Sequence, residues 1–573
     1  SNGFLYLGMR SLLTLLLFVP ILGFSQSVWN QYGQNIIGEN GSNPNHFLSS
    51  GDKSGTAVSL NSNGNIVAIG APKNVGQGCR SGHVRVYEYD NNAWAKLGQD
   101  IDGIIFNSAT QGCGGILFGQ TLDLNSEGDV LIVGAPSYGE TPNSPLAVAS
   151  PKGSVAVFEW DDSTWNLKGQ KLINSGSYQR FGTSVSINSF GDVIAVGAPG
   201  SPSSWQGTPS NGWVRIYSWS GSSWVQLGQD IFGEAVGDWS GKSVSMNAAG
   251  DRVAIGATGN DDNGLAAGNV RIYEWNGTSW LQLGQDIDGE AAYDQSGWSV
   301  SMNAAGDRVA IGTPENNNHT GQVRVYSWDG VSWSQLGVDI HGEALDDFFG
   351  YSVSLNSVGD RLSVGAYGND STLIGGNFQF GQVKNFLWDG SSWVQLGQKI
   401  YGENYGDWLG GFVSLDSSGT KLAVGIPGYD DSLQWQGDNR GCVKTFYECV
   451  FDYSVDYKTA CDSLTWINGI TYSNSTNSPI DTLMNIFGCD SVVTLNLTIN
   501  NNTGTATQTA CNSYTWIDGN TYTSSTNTPT YTLTNAAGCD SVVTLNLTVN
   551  TVNNSVTNTT PTLTADATGA TYQ

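Results

Sequence analysis

The 573-residue sequence predicts an all-β chain, on three observations. Gly accounts for 75 residues and charged residues for only 13 %, a composition suited to short strands joined by tight turns and poor in material for amphipathic helices. Period-two alternation flanks a turn that recurs along the first three quarters of the chain, as in "SVSMNAAGDRVAIGA" at Ser243–Ala257 and "SVSMNAAGDRVAIGT" at Ser299–Thr313. A second hairpin follows in each unit, clearest in "VRIYEWNGTSWLQLGQDI" at Val270–Ile287. Units of four antiparallel strands repeated at this spacing predict a β-propeller. Beyond it, two shorter Cys-bearing repeats predict small β-sandwich-like modules.

From the N-terminus, Met9-Arg10 precedes an apolar run from Leu12 to Leu22 and then "GFSQ". Gly23 and Ser25 stand where an export peptidase would cut before Gln26, so residues 1–25 read as a signal peptide, with 1–8 as an upstream extension. The run is too short to span a bilayer, which takes ~20 residues. The expected localisation is secreted or at the cell surface, with no membrane insertion beyond the signal peptide.

The turn falls at Gly64-Asn65, Gly128-Asp129, Gly191-Asp192, Gly250-Asp251, Gly306-Asp307, Gly359-Asp360 and Gly419-Thr420, which gives seven blades over residues 28–449. Variants of an outer-strand motif "W-x-x-L-G-Q" start at Trp94, Trp165, Trp224, Trp280, Trp333 and Trp393. The seventh unit ends at "CVKTFYECV" without one, and the missing copy stands at the other end, in "VWNQYGQNIIGEN". Residues 28–38 are therefore expected to complete the blade begun at Phe412 and to remove the free edges there.

Phe349-Gly350 "YSVSLNSVGDRLSVGAY", Phe181-Gly182 "TSVSINSFGDVIAVGAP" and Phe118-Gly119 "QTLDLNSEGDVLIVGAP" resemble FG-GAP repeats, the blades of integrin α-subunit propellers and of bacterial surface relatives. The resemblance implies a seven-bladed adhesion or binding propeller. The calcium sites of that family are not carried over: they need oxygen ligands at alternate positions of an Asp-rich loop, and the connection here is a short "NAAGD"-type turn. No cofactor is expected. "GNDDNG" at Gly259–Gly264 and "GYDDS" at Gly428–Ser432 read as polar turns, since neither has the full ligand spacing.

After Cys449 the composition shifts to Thr, Ser and Asn, and "ACDSLTWINGITYSNSTN" from Ala460 returns as "ACNSYTWIDGNTYTSSTN" from Ala510. Residues 450–500 and 501–550 are the two modules, with 551–573 the start of a further, truncated segment. They resemble Cys-bracketed spacer repeats of Bacteroidota surface proteins. Small modules in an exported chain favour disulfides, so Cys461–Cys489 and Cys511–Cys539 are the expected pairs. Cys79 and Cys113 are expected to pair on one face of the propeller. Cys442 and Cys449 bracket one strand and lie too far apart for a mutual bond.

A net charge of −27 disfavours nucleic acid and anionic membranes as partners. The loops that lead from each outer strand to the next blade repeat "GE-x-x-x-D", giving Glu234/Asp238, Glu290/Asp294, Glu343/Asp347 and Glu403/Asp407, with a degenerate copy at Glu39/Asp52. Trp239, Phe348 and Trp408 follow three of the Asp residues. Two readings stand: a ring of carboxylates and aromatics for cations or sugars, or Asp-capped turns with the aromatic covering a blade seam. Repetition in every blade favours the second.

His46, His83, His319 and His341 are scattered, and no nucleophile elbow, phosphate loop or metal motif occurs. The expected function is a non-catalytic adhesion or binding protein whose loop face meets an extracellular protein or polysaccharide, with the tail as spacer. An extracellular polysaccharide lyase or glycosidase on the same scaffold, and a purely structural repeat protein, are the alternatives.

Overall fold

The computed structural model describes residues 27–39, 51–75, 81–103, 116–137, 152–176, 178–200, 210–370, 379–430, 439–450, 452–484, 490–500, 502–536, 538–551, 556–559 and 562–565. The expected signal peptide, Cys79, Cys113 and Cys489 lie outside them. Two compact units emerge, Ser1–Val450 and Phe451–Gln573. Among the described residues no helix is long and apolar enough to cross a membrane.

Among the described residues, the first unit is a β-propeller of seven sheets, each with five strand segments. Blade four shows the pattern: Ser240–Met246 innermost, then Arg252–Ala257, Asn269–Trp275 and an outer strand in two pieces, Trp280–Gln282 and Ile287–Asp288. The expectation of four strands is met except that the outer strand breaks. Tyr273 faces Gln282 and Val270 faces Ile287, so the outer strand carries two extra residues between the pieces.

The break is caused by the motif that marks it. Gly284 has φ +81°, and a Cβ there would fall 2.5 Å from the Trp328 ring of the next blade. Only glycine lets the chain turn at that point and lets the neighbouring indole close in. The next residue, Gln285, then clamps the following blade: its Nε2 donates to the Trp333 carbonyl at 2.7 Å and its Oε1 accepts from the Trp333 N–H at 3.2 Å. The Trp333 indole N–H donates back to the Leu283 carbonyl. The same two-bonded amide clamp joins Gln34 to Trp94, Gln99 to Trp165, Gln170 to Trp224, Gln229 to Trp280 and Gln398 to Trp29. The remaining seam has Val338 in place of Gln, leaving an apolar side chain 75 % exposed and only the Trp393 indole bond to Leu336.

The ring closes as the sequence indicates. Ser27–Gln31 pairs antiparallel with Cys442–Val450, Trp29 facing Glu448, and Ile36–Ile37 continues along the same strand. Trp29 is 3 % exposed and sits in the core shared with Val383, Leu422 and Phe446.

Around the axis, the turn after each inner strand is made by its Asn in six blades and by Asp416 in the seventh, whose Oδ1 accepts from the Thr420 and Lys421 N–H groups. Asn247 Oδ1 accepts the N–H groups of Gly250, Asp251 and Arg252, while its amide donates to Asp251. This local capping explains why "N-x-x-G-D" recurs.

In the second unit, Asp452–Ala460 runs parallel to Asp490–Ile499, and Asn502–Cys511 parallel to Asp540–Asn550. Each three-stranded sheet is accompanied by a two-stranded hairpin, and Trp466 with Leu495 and Leu497, or Trp516 with Leu545 and Leu547, fills the interior. The parallel pairing corrects the expected disulfides. Ala460 faces Ile499 at the end of the first repeat and Asn502 faces Ser541 at the start of the second, which brings Cys461 to the junction beside Cys539. Cys461 instead bonds Cys539 of the following repeat, with Cα atoms 5.0 Å apart, and Cys511 is a free, exposed thiol. Cys442 is free and buried, and Cys449 is disulfide-bonded to a residue outside the described set.

Two outcomes follow. Peptide mapping without reduction should return Cys461 linked to Cys539 and Cys511 alkylated; a Cys511–Cys539 peptide would contradict the staggered linkage. Val338→Gln should complete the seventh clamp and raise the unfolding free energy by on the order of 1 kcal/mol, read as a higher urea midpoint, while Gln398→Ala should lower it. An unchanged midpoint in Gln398→Ala would show that the amide clamps do not hold the seams.

Candidate functional site

In the propeller, the loops between second and third strands and those leading to the next blade share one face. The carboxylates singled out from sequence lie there, already engaged. Asp238 is 3 % exposed, and its Oδ2 accepts the N–H groups of Glu234 and Ala235 at 2.8 Å. Asp347 does the same for Glu343 and Ala344, Asp407 for Glu403 and Asn404, and Asp294 accepts from Ala291. Each Glu reaches a buried base in the next blade: Glu234 to Arg271 (3.7 Å), Glu290 to Arg324 (3.7 Å), Glu343 to Lys384 (3.0 Å) and Glu403 to Lys444. Arg271 and Arg324 also donate to outer-strand carbonyls of the preceding blade, at Phe232 and Asp288. The "GE-x-x-x-D" ring is therefore a set of turn caps and seam bridges.

Two acidic groupings have ligand atoms near one another, Glu39/His83/Asp100 and Glu234/Asp262/Asp286. Arg85 pairs with both Glu39 and Asp100 of the first, and Arg271 pairs with Glu234 of the second. The "GNDDNG" segment is a hydrogen-bonded turn, in which Asp261 accepts from Ala266 and Asn263 donates to the Gly289 carbonyl.

The aromatics behave differently. Trp239, Phe348 and Trp408 have φ of +56°, +53° and +57° and are half-buried, each held at the face by an unusual backbone conformation. They belong to a larger set. Lys242 Nζ lies 3.8 Å over the Trp298 ring, Trp298 meets Tyr351 at 5.4 Å, Tyr351 meets Tyr367 at 4.4 Å, and Tyr367 stacks on Phe348 at 5.1 Å. Phe348 stacks on His319 at 5.0 Å, and Trp408 carries Lys53 at 3.9 Å while its indole donates to Gln379. Blades five and six thus share a continuous aromatic arc from Trp298 to Phe348, with Lys242 of blade four at its end. Sequence reasoning found Trp239, Phe348 and Trp408 but missed Trp298, Tyr351, Tyr367 and the two lysines. The signal was present in one repeat column: the residue after the Phe-Gly glycine is Thr56, Gln120, Thr183, Lys242, Trp298, Tyr351 and Gly411. Only blades four to six place a basic or aromatic side chain there.

The opposite end of the axis is polar. A cavity of about 220 Å³ is lined by the ends of the inner strands, including Ser59, Asp123, Ser186, Ser245, Ser354 and Ser414. Asp123 is the one acid among hydroxyls at that level. It accepts from Ser59, Ser186 and the Ile187 N–H, yet enclosure by protein pushes its carboxyl up to about 6. Asp407 is likewise pushed up to about 6 by burial. In blade six Asn369 donates to Asp347 Oδ1, but blade seven has Tyr429 at that position, and Asp407 Oδ1 has no hydrogen-bond partner.

No family model and no curated protein matches the chain. Among solved structures it is similar to a candidate 6-phosphogluconolactonase from Bacteroides uniformis, with TM-score 0.41 and 7 % identity over 61 % of this chain and 86 % of that one. It is also similar to the WD40 repeats of RRP9, with TM-score 0.42 and 11 % identity over 73 % of this chain and 99 % of that one.

The two raised carboxyls set a sign for pH. A carboxyl with a higher pKa folded than unfolded binds its proton more tightly in the native state. Its contribution is complete below the unfolded value near 4 and is lost as pH rises through about 6. His83, lowered by burial, acts oppositely on acidification, so the comparison is made against variants. Between pH 7 and 5 the parent should gain on the order of 1 kcal/mol per group over Asp123→Asn and Asp407→Asn. Parallel pH profiles for parent and both variants would refute it.

Proposed function

We propose that the chain is an extracellular, non-catalytic binding protein whose propeller holds a polysaccharide on its loop face, with the C-terminal modules as a spacer. The observation that carries the reading is the aromatic arc of Trp298, Tyr351, Tyr367 and Phe348, half-buried and in ring contact from blade to blade. Ring faces fixed by packing offer apolar area with little side-chain entropy left to lose, the condition for stacking on the C–H faces of sugar rings. A row of them suits a linear polymer better than a single small solute.

The resemblance of Phe181-Gly182, Phe349-Gly350 and their flanks to FG-GAP repeats supports a binding propeller by analogy, since one fold serves many functions. The Cys461–Cys539 disulfide and the apolar segment Leu12–Leu22 support export. The loop-face acids are tied to bases and backbone N–H groups, which favours binding over glycosidic cleavage by a free acid–base pair.

The test is a glycan array with the purified full chain, with and without chelator, and an assay for new reducing or unsaturated ends. Retention of one or more polysaccharides with no product is expected, with at least a tenfold loss in a Trp298→Ala/Tyr367→Ala double variant. Product formation would favour the lyase or glycosidase reading, and retention indifferent to the double variant would remove the face from the account.

A further inference from the structure

The aromatic arc has a charged end. Lys242 follows Gly241 at the start of blade four's inner strand and lies on the Trp298 ring of the next blade at 3.8 Å. The other charge that acts on its ammonium is the guanidinium of Arg180, from the equivalent entry loop of blade three. Arg180 has φ +53° and is exposed. Among the described residues neither cation is in an ion pair. The contrast with the rest of the face is sharp: Arg271, Arg324, Lys384 and Lys444 each have a glutamate. Lys53, over Trp408, has Asp430 as well as Lys73 nearby.

Two like charges held together without a carboxylate repel each other and lose hydration. Burial, with Arg180 adding to it, pushes the Lys242 ammonium down to about 8, which leaves it protonated at neutral pH and short of a counter-charge. In a chain of net charge −27, 50 acidic residues were available to supply one. A bound anion would restore the missing charge, and the Trp298 ring below would present a stacking surface beside it.

Resting on the reading of the loop face as a glycan platform, we infer that Arg180, Lys242 and Trp298 form a subsite for an anionic group, a carboxylate or sulfate ester, of an acidic polysaccharide. The ligand class is thereby narrowed from polysaccharide to acidic polysaccharide. The rest of the surface works against such a ligand, because the overall negative charge repels a polyanion. Binding is therefore confined to the place where the local sign is reversed.

Matched polymers test it, using the full chain in 150 mM salt by biolayer interferometry. The pairs are polygalacturonate against fully methyl-esterified pectin, and dextran sulfate against dextran; they separate carboxylate from sulfate ester. The charged member of at least one pair should bind at least tenfold more tightly. Lys242→Met keeps an apolar stem over Trp298, and Arg180→Gln alters an exposed side chain, so both variants should fold, as tryptophan near-UV circular dichroism would verify. Each should lose most of the tenfold margin. Equal binding within both pairs, or a margin that survives both substitutions, overturns the anionic subsite while the platform stands. Absence of binding to all four polymers and to every glycan on the array overturns the platform and the subsite together.

Discussion

Two closed circuits of hydrogen bonds around the axis hold the propeller, and the other features are arranged about them. In the first, each blade's turn donates a backbone N–H to the next: Ser62 to Ser126, then Ser189, Ala248, Ala304, Ser357, Ser417 and back to Ser62, at 2.9–3.3 Å. In the second, the inner-strand side chain of one blade accepts the N–H of the next. Ser59 accepts from Leu124, Asp123 from Ile187, Ser186 from Met246, Ser245 from Met302, Ser301 from Leu355, Ser354 from Leu415, and Ser414 from Leu60. Inner strands would otherwise present unpaired backbone groups toward a narrow channel, at a cost of about 1–3 kcal/mol for each one buried. A circuit satisfies every member only when the last blade meets the first. Closure is therefore a requirement of the whole ring, and the pairing of Ser27–Gln31 with Cys442–Val450 holds that seam from outside.

The same logic governs close approach. Gly256, of the "IGA" run, lies where a Cβ would be 2.1 Å from the Gly297 carbonyl of the next blade, so both glycines of the repeated signature are explained by one seam. The Trp–Gln clamps at the rim and the Glu–base bridges at the loop face join the same neighbours at larger radius. Repetition in this sequence mostly records seams: a residue that recurs in each blade is one each blade needs to dock on the next.

Much of the fold was legible for that reason. Alternation and turn residues give the strands, and the displaced Trp29 copy gives the closure, because both are local patterns repeated often enough to be aligned. Two features escaped. The two-residue shift in the outer strand depends on Gly284 meeting Trp328 in another blade, which a single unit cannot reveal. The Cys461–Cys539 bond depends on Asp452–Ala460 running parallel to Asp490–Ile499, whereas spacing alone suggests the nearest cysteine.

The candidate site was least legible, and symmetry accounts for it. The repeated "GE-x-x-x-D" loop holds turn caps, since a group repeated around the ring is committed to the ring. Function in a pseudo-symmetric propeller has to reside where the copies differ, because a ligand that lacks sevenfold symmetry meets only part of a face. Three departures stand out. Val338 replaces a clamp, Asp123 replaces a hydroxyl in the inner circuit, and the column after the Phe-Gly glycine turns to Lys242, Trp298 and Tyr351 in successive blades. The first two are single substitutions confined to a seam or the channel. The third changes three neighbouring blades together, places half-buried rings in mutual contact, and leaves two cations without an acid among the described residues. Packing alone has no need of such a coordinated change on one side of an otherwise regular ring, and a ligand lying across blades four to six would supply the reason for it.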